Sequence, residues 1–248
     1  MKTFVIGDIH GAYKALIQCL QRSNFNYEDD ELICLGDVAD GWSEVRECFD
    51  ELLKIKNLTF IRGNHDDWLL QWFKFGRTPD AWLTQGGYAS IDSYIKHENY
   101  LEIIEPHKKL LENSVFAHVD KQHRLFVHGG FNWKIDRTEW IANELMWDRH
   151  AFETACMWEA YAITHPTDKK DYFKQFEEVF IGHTATNNNV GFRMDKSTIP
   201  LHVSNLWNMD QGAGWGEGKL SIMDVNTKQF WQSDSVCILY PEEHNSRK

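Results

Sequence analysis

Along the first third of the chain, short apolar runs alternate with stretches whose apolar residues recur every three or four positions. The runs "TFVIG" (from Thr3), "ELICLG" (from Glu31) and "LTFIRGN" (from Leu58) have the length and the β-branched and aromatic content of buried strands. The stretches that follow them, "AYKALIQCLQRS", "SEVRECFDELLKIK" and "DDWLLQWFKF", have helical periodicity. Strand, polar loop and amphipathic helix in repetition predict βαβ units and a mostly parallel sheet.

Residues 78–114 read as helices, with "YLEIIEPHKKLLEN" the clearest. "VFAHVD" and "HRLFVHGG" then form two strands of hairpin type. A second helical block is expected over 138–172, covering one side of any site. After it come the strand "EEVFIGHT", the loop "ATNNNVGFRMDKSTIP", and short antiparallel strands with Gly-rich turns in "LHVSNLWNMDQGAGWGEGKLSIMDV" and "QFWQSD". With no repeat, low-complexity tract or Pro/Ser linker, a single domain over 1–248 is expected, with helical insertions around 66–114 and 138–172.

Charge narrows the partners. A net charge of −11 argues against an extended nucleic-acid surface, because nonspecific phosphate affinity comes from Lys and Arg. Five cysteines, odd in number and without a CxxC pair, point to reduced thiols rather than a disulfide framework or zinc ribbon. The chain enters a strand directly at "MKTFVIG" and has no long apolar run, so a cytoplasmic location without membrane association is expected.

Candidate chemistry sits where the strands stop. "GDIHG" places Asp8 and His10 there, "GDVAD" Asp37 and Asp40, "RGNHD" Arg62, Asn64 and His65, "VHGG" His128, and "IGHT" His183. Buried carboxylates and imidazoles are costly without partners. Carboxylate, imidazole and amide oxygen together suit a divalent metal of intermediate hardness, such as Mn²⁺, Fe²⁺ or Zn²⁺. In "DxH" the strand period of two lets both side chains face one ion. None of the cysteines lies in these blocks, which excludes a thiolate site.

The five ordered blocks resemble the calcineurin-like metallophosphoesterases, and among them the bacterial and phage serine/threonine phosphoprotein phosphatases of the lambda phosphatase type. The resemblance implies an α/β four-layer sandwich of two mixed β-sheets flanked by helices, with two divalent metal ions, expected to be Mn²⁺. It implies that Asp8 and His10 bind the first metal, that Asp37 bridges both, and that Asn64, His128 and His183 complete the second. His65 would be the general acid, oriented by Asp40. Arg62, Asn64 and Arg149 would contact the substrate phosphate. The implied reaction is hydrolysis of a phosphomonoester by direct attack of a metal-bridging hydroxide, with no phosphoenzyme.

Some positions qualify the resemblance. Related phosphodiesterases carry a second His two places after that of "GHT", where this chain has Ala185, which favours the phosphoprotein phosphatase branch. The family's second block usually ends Asp-Arg-Gly, whereas here Gly41 and Trp42 follow Asp40, so one phosphate clamp is missing. "AWLTQGG" resembles the Trp-x-x-x-Gly-Gly element of the lambda-type enzymes. Trp68, Trp72 and Trp82 read as core, and Asp66 and Asp67 as capping residues at a helix start. The expected substrate is a phosphoprotein. Symmetrical diadenosine tetraphosphate and polynucleotide ends are the alternatives, and a non-enzymatic metal-dependent binding protein is disfavoured by the complete ligand set. The sequence leaves the oligomeric state open.

Overall fold

The computed structural model describes residues 1–165, 173–187 and 197–243. The three leading strands are β1 (Thr3–Ile6), β2 (Glu31–Cys34) and β3 (Asn57–Phe60), all parallel. Two antiparallel strands from the end of the chain, β9 (Ser221–Asp224) and β10 (Phe230–Gln232), extend this sheet beyond β1. The second five-stranded sheet orders β4 (Ala117–Val119), β5 (Arg124–Val127), β6 (Glu178–Ile181), β8 (Leu206–Asn208) and β7 (Leu201–Val203). Within it β5, β6 and β8 are parallel.

Side-chain alternation builds the layers. In β1, Val5 faces the other sheet while Phe4 and Ile6 face helices; in β5 and β6, Phe126 and Phe180 point inward while Leu125, Val127, Val179 and Ile181 point outward. The inner layer joins Val5, Ile33 and Met223 of one sheet, with Ile61 just past β3, to Phe126 and Phe180 of the other, with Met209 just past β8. Phe126 and Phe180 stack at 4.9 Å and 9°. Outside the first sheet lie α1 (Tyr13–Arg22), α2 (Val45–Leu52), α3 (Asn64–Phe75), α4 (Asp80–Leu83), α5 (Gly87–Ile95) and α6 (Tyr100–Glu112). Phe152 of α8 (His150–Thr164) packs with Leu145 of α7 (Ala142–Trp147) on the second sheet. The result is the expected sandwich of two mixed sheets flanked by helices.

The antiparallel β4–β5 pair and the leading βαβ units match the hydrophobic pattern. The block expected as helix over 138–172 is interrupted: a 3₁₀ turn at Arg137–Glu139 precedes α7, and the chain is extended at Asp148 before α8. Its last positions, 166–172, lie outside the described residues, as do 188–196 of the following loop. Strand β8 pairs antiparallel with β7 as expected and also parallel with β6. Hydrophobic alternation shows a strand without naming its second neighbour. A short α9 (Val236–Leu239) follows the last strand. No described helix is long and apolar enough to cross a membrane.

Candidate functional site

Every metal-type side chain identified in the sequence lies just past the carboxyl end of a parallel strand. Asp8 and His10 follow β1, Asp37 follows β2, Asn64 follows β3, His128 follows β5, and His183 follows β6. Ligands of open α/β sheets collect at this edge. The two sheets bring their edges together, so residues far apart in sequence share one buried cleft. Glycines make the approach possible. A Cβ on Gly63 would lie 2.1 Å from Asp37 Oδ1, and one on Gly182 would lie 2.1 Å from Asp8 Oδ1.

The loops are held in uncommon conformations. His10, Asp37, Asp40 and His183 have φ of 49°, 48°, 72° and 64°, in the left-handed region. Such residues cost of order 1–3 kcal/mol each unless the surroundings fix them. Asp66 supplies part of that fixing. Its fully buried carboxylate accepts the backbone N–H groups of Asp37, Val38, Ala39 and Gly63 at 2.7, 2.9, 3.1 and 3.0 Å. The sequence reading gave Asp66 a helix cap. It is one, and it also clamps the loop that carries Asp37.

Two donor groups share Asp37. Asp8, His10 and Asp37 form one, and Asp37, His128 and His183 the other, with the ligand atoms in each within 4.8 Å of one another. Asp37 Oδ2 lies 3.8 Å from His10 Nε2 and 3.3 Å from His128 Nε2, and Asn64 Oδ1 lies 3.2 Å from His128 Nε2. His10 and His128 each donate Nδ1–H to a backbone carbonyl, of Ala39 at 2.9 Å and of Leu35 at 2.8 Å. That bond commits Nδ1 and turns Nε2 toward Asp37, the orientation in which a histidine ligates a metal once Nε2 is deprotonated. Among the described residues, the buried His183 Nε2 has no hydrogen-bond partner. A buried orphan nitrogen and a shared carboxylate fit a pair of divalent cations.

The electrostatics agree with that fit. Burial, then Asp210 and Asp37, push the Asp8 carboxyl well above the usual range. Burial acts the same way on Asp37, but His128, His65 and His10 outweigh it and hold its carboxyl well below that range. Burial lowers His128, yet Asp37 and Asp8 raise it to about 9, so a cation bound here would replace the Nε2 proton that faces Asp37. His183 is held well below its usual value by burial, then by His128 and Arg149, which favours the neutral imidazole that a metal ligand must be. Crowded buried carboxylates stay ionised together only with a compensating positive charge.

His65 and Asp40 also meet here, with His65 Nδ1 2.5 Å from Asp40 Oδ2. Arg149 lines the same cleft and donates from Nη1 to the His183 carbonyl at 2.8 Å and to Thr184 Oγ1 at 2.9 Å. Arg62 is placed differently. Its guanidinium donates to Ser114 Oγ, Asp67 Oδ1 and the Leu111 carbonyl, and lies over the Phe116 ring, outside the residues that line the cleft. This arrangement gives Arg62 a structural task.

Sequence reasoning missed four lining residues, Gln85, Trp147, Asp210 and Trp215. Asp210 follows β8 as Asp8 follows β1, in "NMDQG", so the same signal of an apolar strand, an Asp and then a Gly was present. The place of the absent family Arg is also accounted for. Gly41 has φ of 88°, a Cβ there would lie 2.9 Å from the His10 carbonyl oxygen, and Trp42 is buried, stacked on Tyr240 and bonded to the Ala213 carbonyl.

Comparison with known proteins decides the family. The calcineurin-like phosphoesterase family model matches residues 1–187. The chain belongs to the calcineurin-like phosphoesterase family. Members of this family use a dinuclear divalent metal site, and the His and Asp groups described above fit one. The chain is 32% identical over 84 residues to serine/threonine-protein phosphatase 1 of Salmonella typhimurium, covering 34% of this chain and 38% of the relative. It is 25% identical over 154 residues to a symmetrical bis(5'-nucleosyl)-tetraphosphatase of a Marinomonas species, covering 58% and 50%. The chain thus spans half or less of the length of these two relatives. A protein serine/threonine phosphatase from Saccharomyces cerevisiae with similarity to human phosphatase PP5 has the same phosphoesterase fold, with a TM-score of 0.58 at 16% identity, covering 100% of this chain and 84% of that one.

Proposed function

We propose that this phosphoesterase hydrolyses phosphomonoesters with two divalent cations, expected to be Mn²⁺, and that its substrate is a phosphoserine or phosphothreonine protein. Asp8, His10 and Asp37 hold one cation; Asp37, Asn64, His128 and His183 hold the other. The observation that carries this reading is Asp37 Oδ2, which faces a histidine of each donor set. Bound there, the cations supply Lewis acidity toward phosphoryl oxygens and make water more acidic.

The chain's own residues do the remaining work. Arg149 spends Nη1 on the His183–Thr184 loop and offers the rest of its fork to a phosphoryl oxygen, the geometry at which guanidinium excels. Asn64 belongs to the donor set through Oδ1, leaving its amide hydrogens for the same phosphate. His65 donates Nδ1–H to Asp40, so Nε2 is the atom that carries a proton to the departing alkoxide. The His10, His65 and His183 rings are buried in the cleft wall, while Trp147 and Trp215 stand partly exposed at its rim.

A second reading is favoured by the Marinomonas relative: a symmetrical dinucleoside tetraphosphate as substrate. The net charge of −11 disfavours the polynucleotide ends. A turnover panel with Mn²⁺-loaded protein separates them. Phosphopeptide should give the highest kcat/KM. Preferred cleavage of diadenosine tetraphosphate to two diphosphates would select the second reading, and no turnover of any phosphoester would overturn both.

A further inference from the structure

The Asp40 carboxylate is completely buried yet takes three side-chain donors. His65 Nδ1 lies 2.5 Å from Oδ2, Ser90 Oγ donates to Oδ1 at 2.6 Å, and the Trp82 indole N–H is 2.9 Å from both oxygens. Ser90 Oγ also accepts the Asp40 backbone N–H at 2.9 Å, so one hydroxyl grips the residue at two points. Neither Trp82 nor Ser90 comes from a strand-end loop. Trp82 is on α4 and Ser90 on α5, within the helical insertion.

We propose that Trp82 and Ser90 are positioning residues for the acid. They fix the Asp40 carboxylate so that His65 is aimed at the leaving group. This rests on His65 being that acid. A carboxylate held by one donor alone turns about its own bond and takes the imidazole with it. Two further neutral donors on rigid helices remove that freedom, and they offset the desolvation of a fully buried charge without competing for its proton. The left-handed backbone of Asp40, φ 72°, needs the same restraint.

The arrangement also explains the "WLTQGG" spacing. Gly86 caps α5 with φ of 106°, which reverses the chain after α4, and a Cβ on Gly87 would meet the Trp82 ring at 2.8 Å. The two glycines let the indole lie against backbone with its N–H on Asp40. Trp82 is therefore buried as a core residue is, but its polar atom is committed to the site.

The test compares kcat on an alkyl phosphate, whose leaving group needs a proton, with kcat on nitrophenyl phosphate, whose leaving group does not. Ser90→Ala and Trp82→Phe are each made alone and in a His65→Ala background, with Mn²⁺ content verified. Each single variant should lose about tenfold more on the alkyl ester than on the aryl ester, a fraction of the roughly 10² to 10⁴ that an acid contributes. In the His65→Ala background the same changes should alter that ratio less than about twofold, because residues acting through one group are not additive. Equal losses on both esters, or an undiminished effect without His65, would overturn the inference and leave the acid in place. A His65→Ala variant with equal losses on both esters would instead overturn the acid assignment itself. Ser90→Ala removes a single oxygen, so the proposal stays open to refutation if Trp82→Phe does not fold.

Discussion

Asp66 Oδ2 accepts the backbone N–H of Asp37 at 2.7 Å. One bond thus ties the first turn of α3 to the loop that carries the carboxylate shared by both donor groups. Three more backbone N–H groups, of Val38, Ala39 and Gly63, converge on the same side chain. Hydrogen bonds to a charged group contribute about 1.5–3 kcal/mol each, and a buried donor left unpaired adds a penalty. Asp66→Asn keeps the shape but turns one acceptor into a donor facing N–H groups. It should lower unfolding stability in urea by at least about 2 kcal/mol and weaken Mn²⁺ binding. A loss near zero in both would mean that the loop holds itself.

Arg149 is the arginine that the cleft retains. Replacing it with Ala should remove the charge-assisted phosphate contact proposed for it, a loss of about 1.5–3 kcal/mol that corresponds to roughly ten- to hundredfold in kcat/KM. The loss should appear mainly as a higher KM for nitrophenyl phosphate, with bound metal unchanged. Arg62→Lys, by contrast, should leave KM unchanged and reduce stability, because the guanidinium serves Ser114, Asp67 and Leu111. A raised KM in the Arg62 variant would contradict its placement outside the cleft.

Gly41 shows why the family's arginine cannot simply be restored. A left-handed backbone strains any L side chain, at about 1–3 kcal/mol, and the Cβ contact of 2.9 Å with the His10 carbonyl oxygen adds to it. Gly41→Arg should therefore lower the melting temperature and displace His10, raising rather than lowering KM. A tighter KM with unchanged stability would show that the loop can open to accept the side chain.

Much of this site was legible because its residues obey a local rule. A strand that ends in Asp, His or Asn beside a Gly advertises both its chemistry and its edge, and Asp8, His10, Asp37, Asn64, His128 and His183 all do so. Arg62 obeyed the motif but not the geometry. Its partner, the Leu111 carbonyl, belongs to the end of α6, and nothing local in sequence shows that helix closing on it. Trp82 and Ser90 were illegible for the same reason, since a buried indole reads as core until its N–H is seen to point at a carboxylate. For the fold, alternation located the strands, while the parallel β6–β8 pairing and the break before α8 depended on contacts distant in sequence.

The central claim is that one carboxylate, Asp37, serves two cations. Metal content by inductively coupled plasma mass spectrometry, after equilibration with Mn²⁺ and removal of free ion, tests it most directly. Wild-type protein should hold two ions per chain and His183→Ala one. Asp37→Asn should lose both together, with turnover falling by on the order of 10²-fold or more, because the removed charge counters both ions. A wild-type content of one ion, or an Asp37→Asn variant that keeps two, would contradict the account.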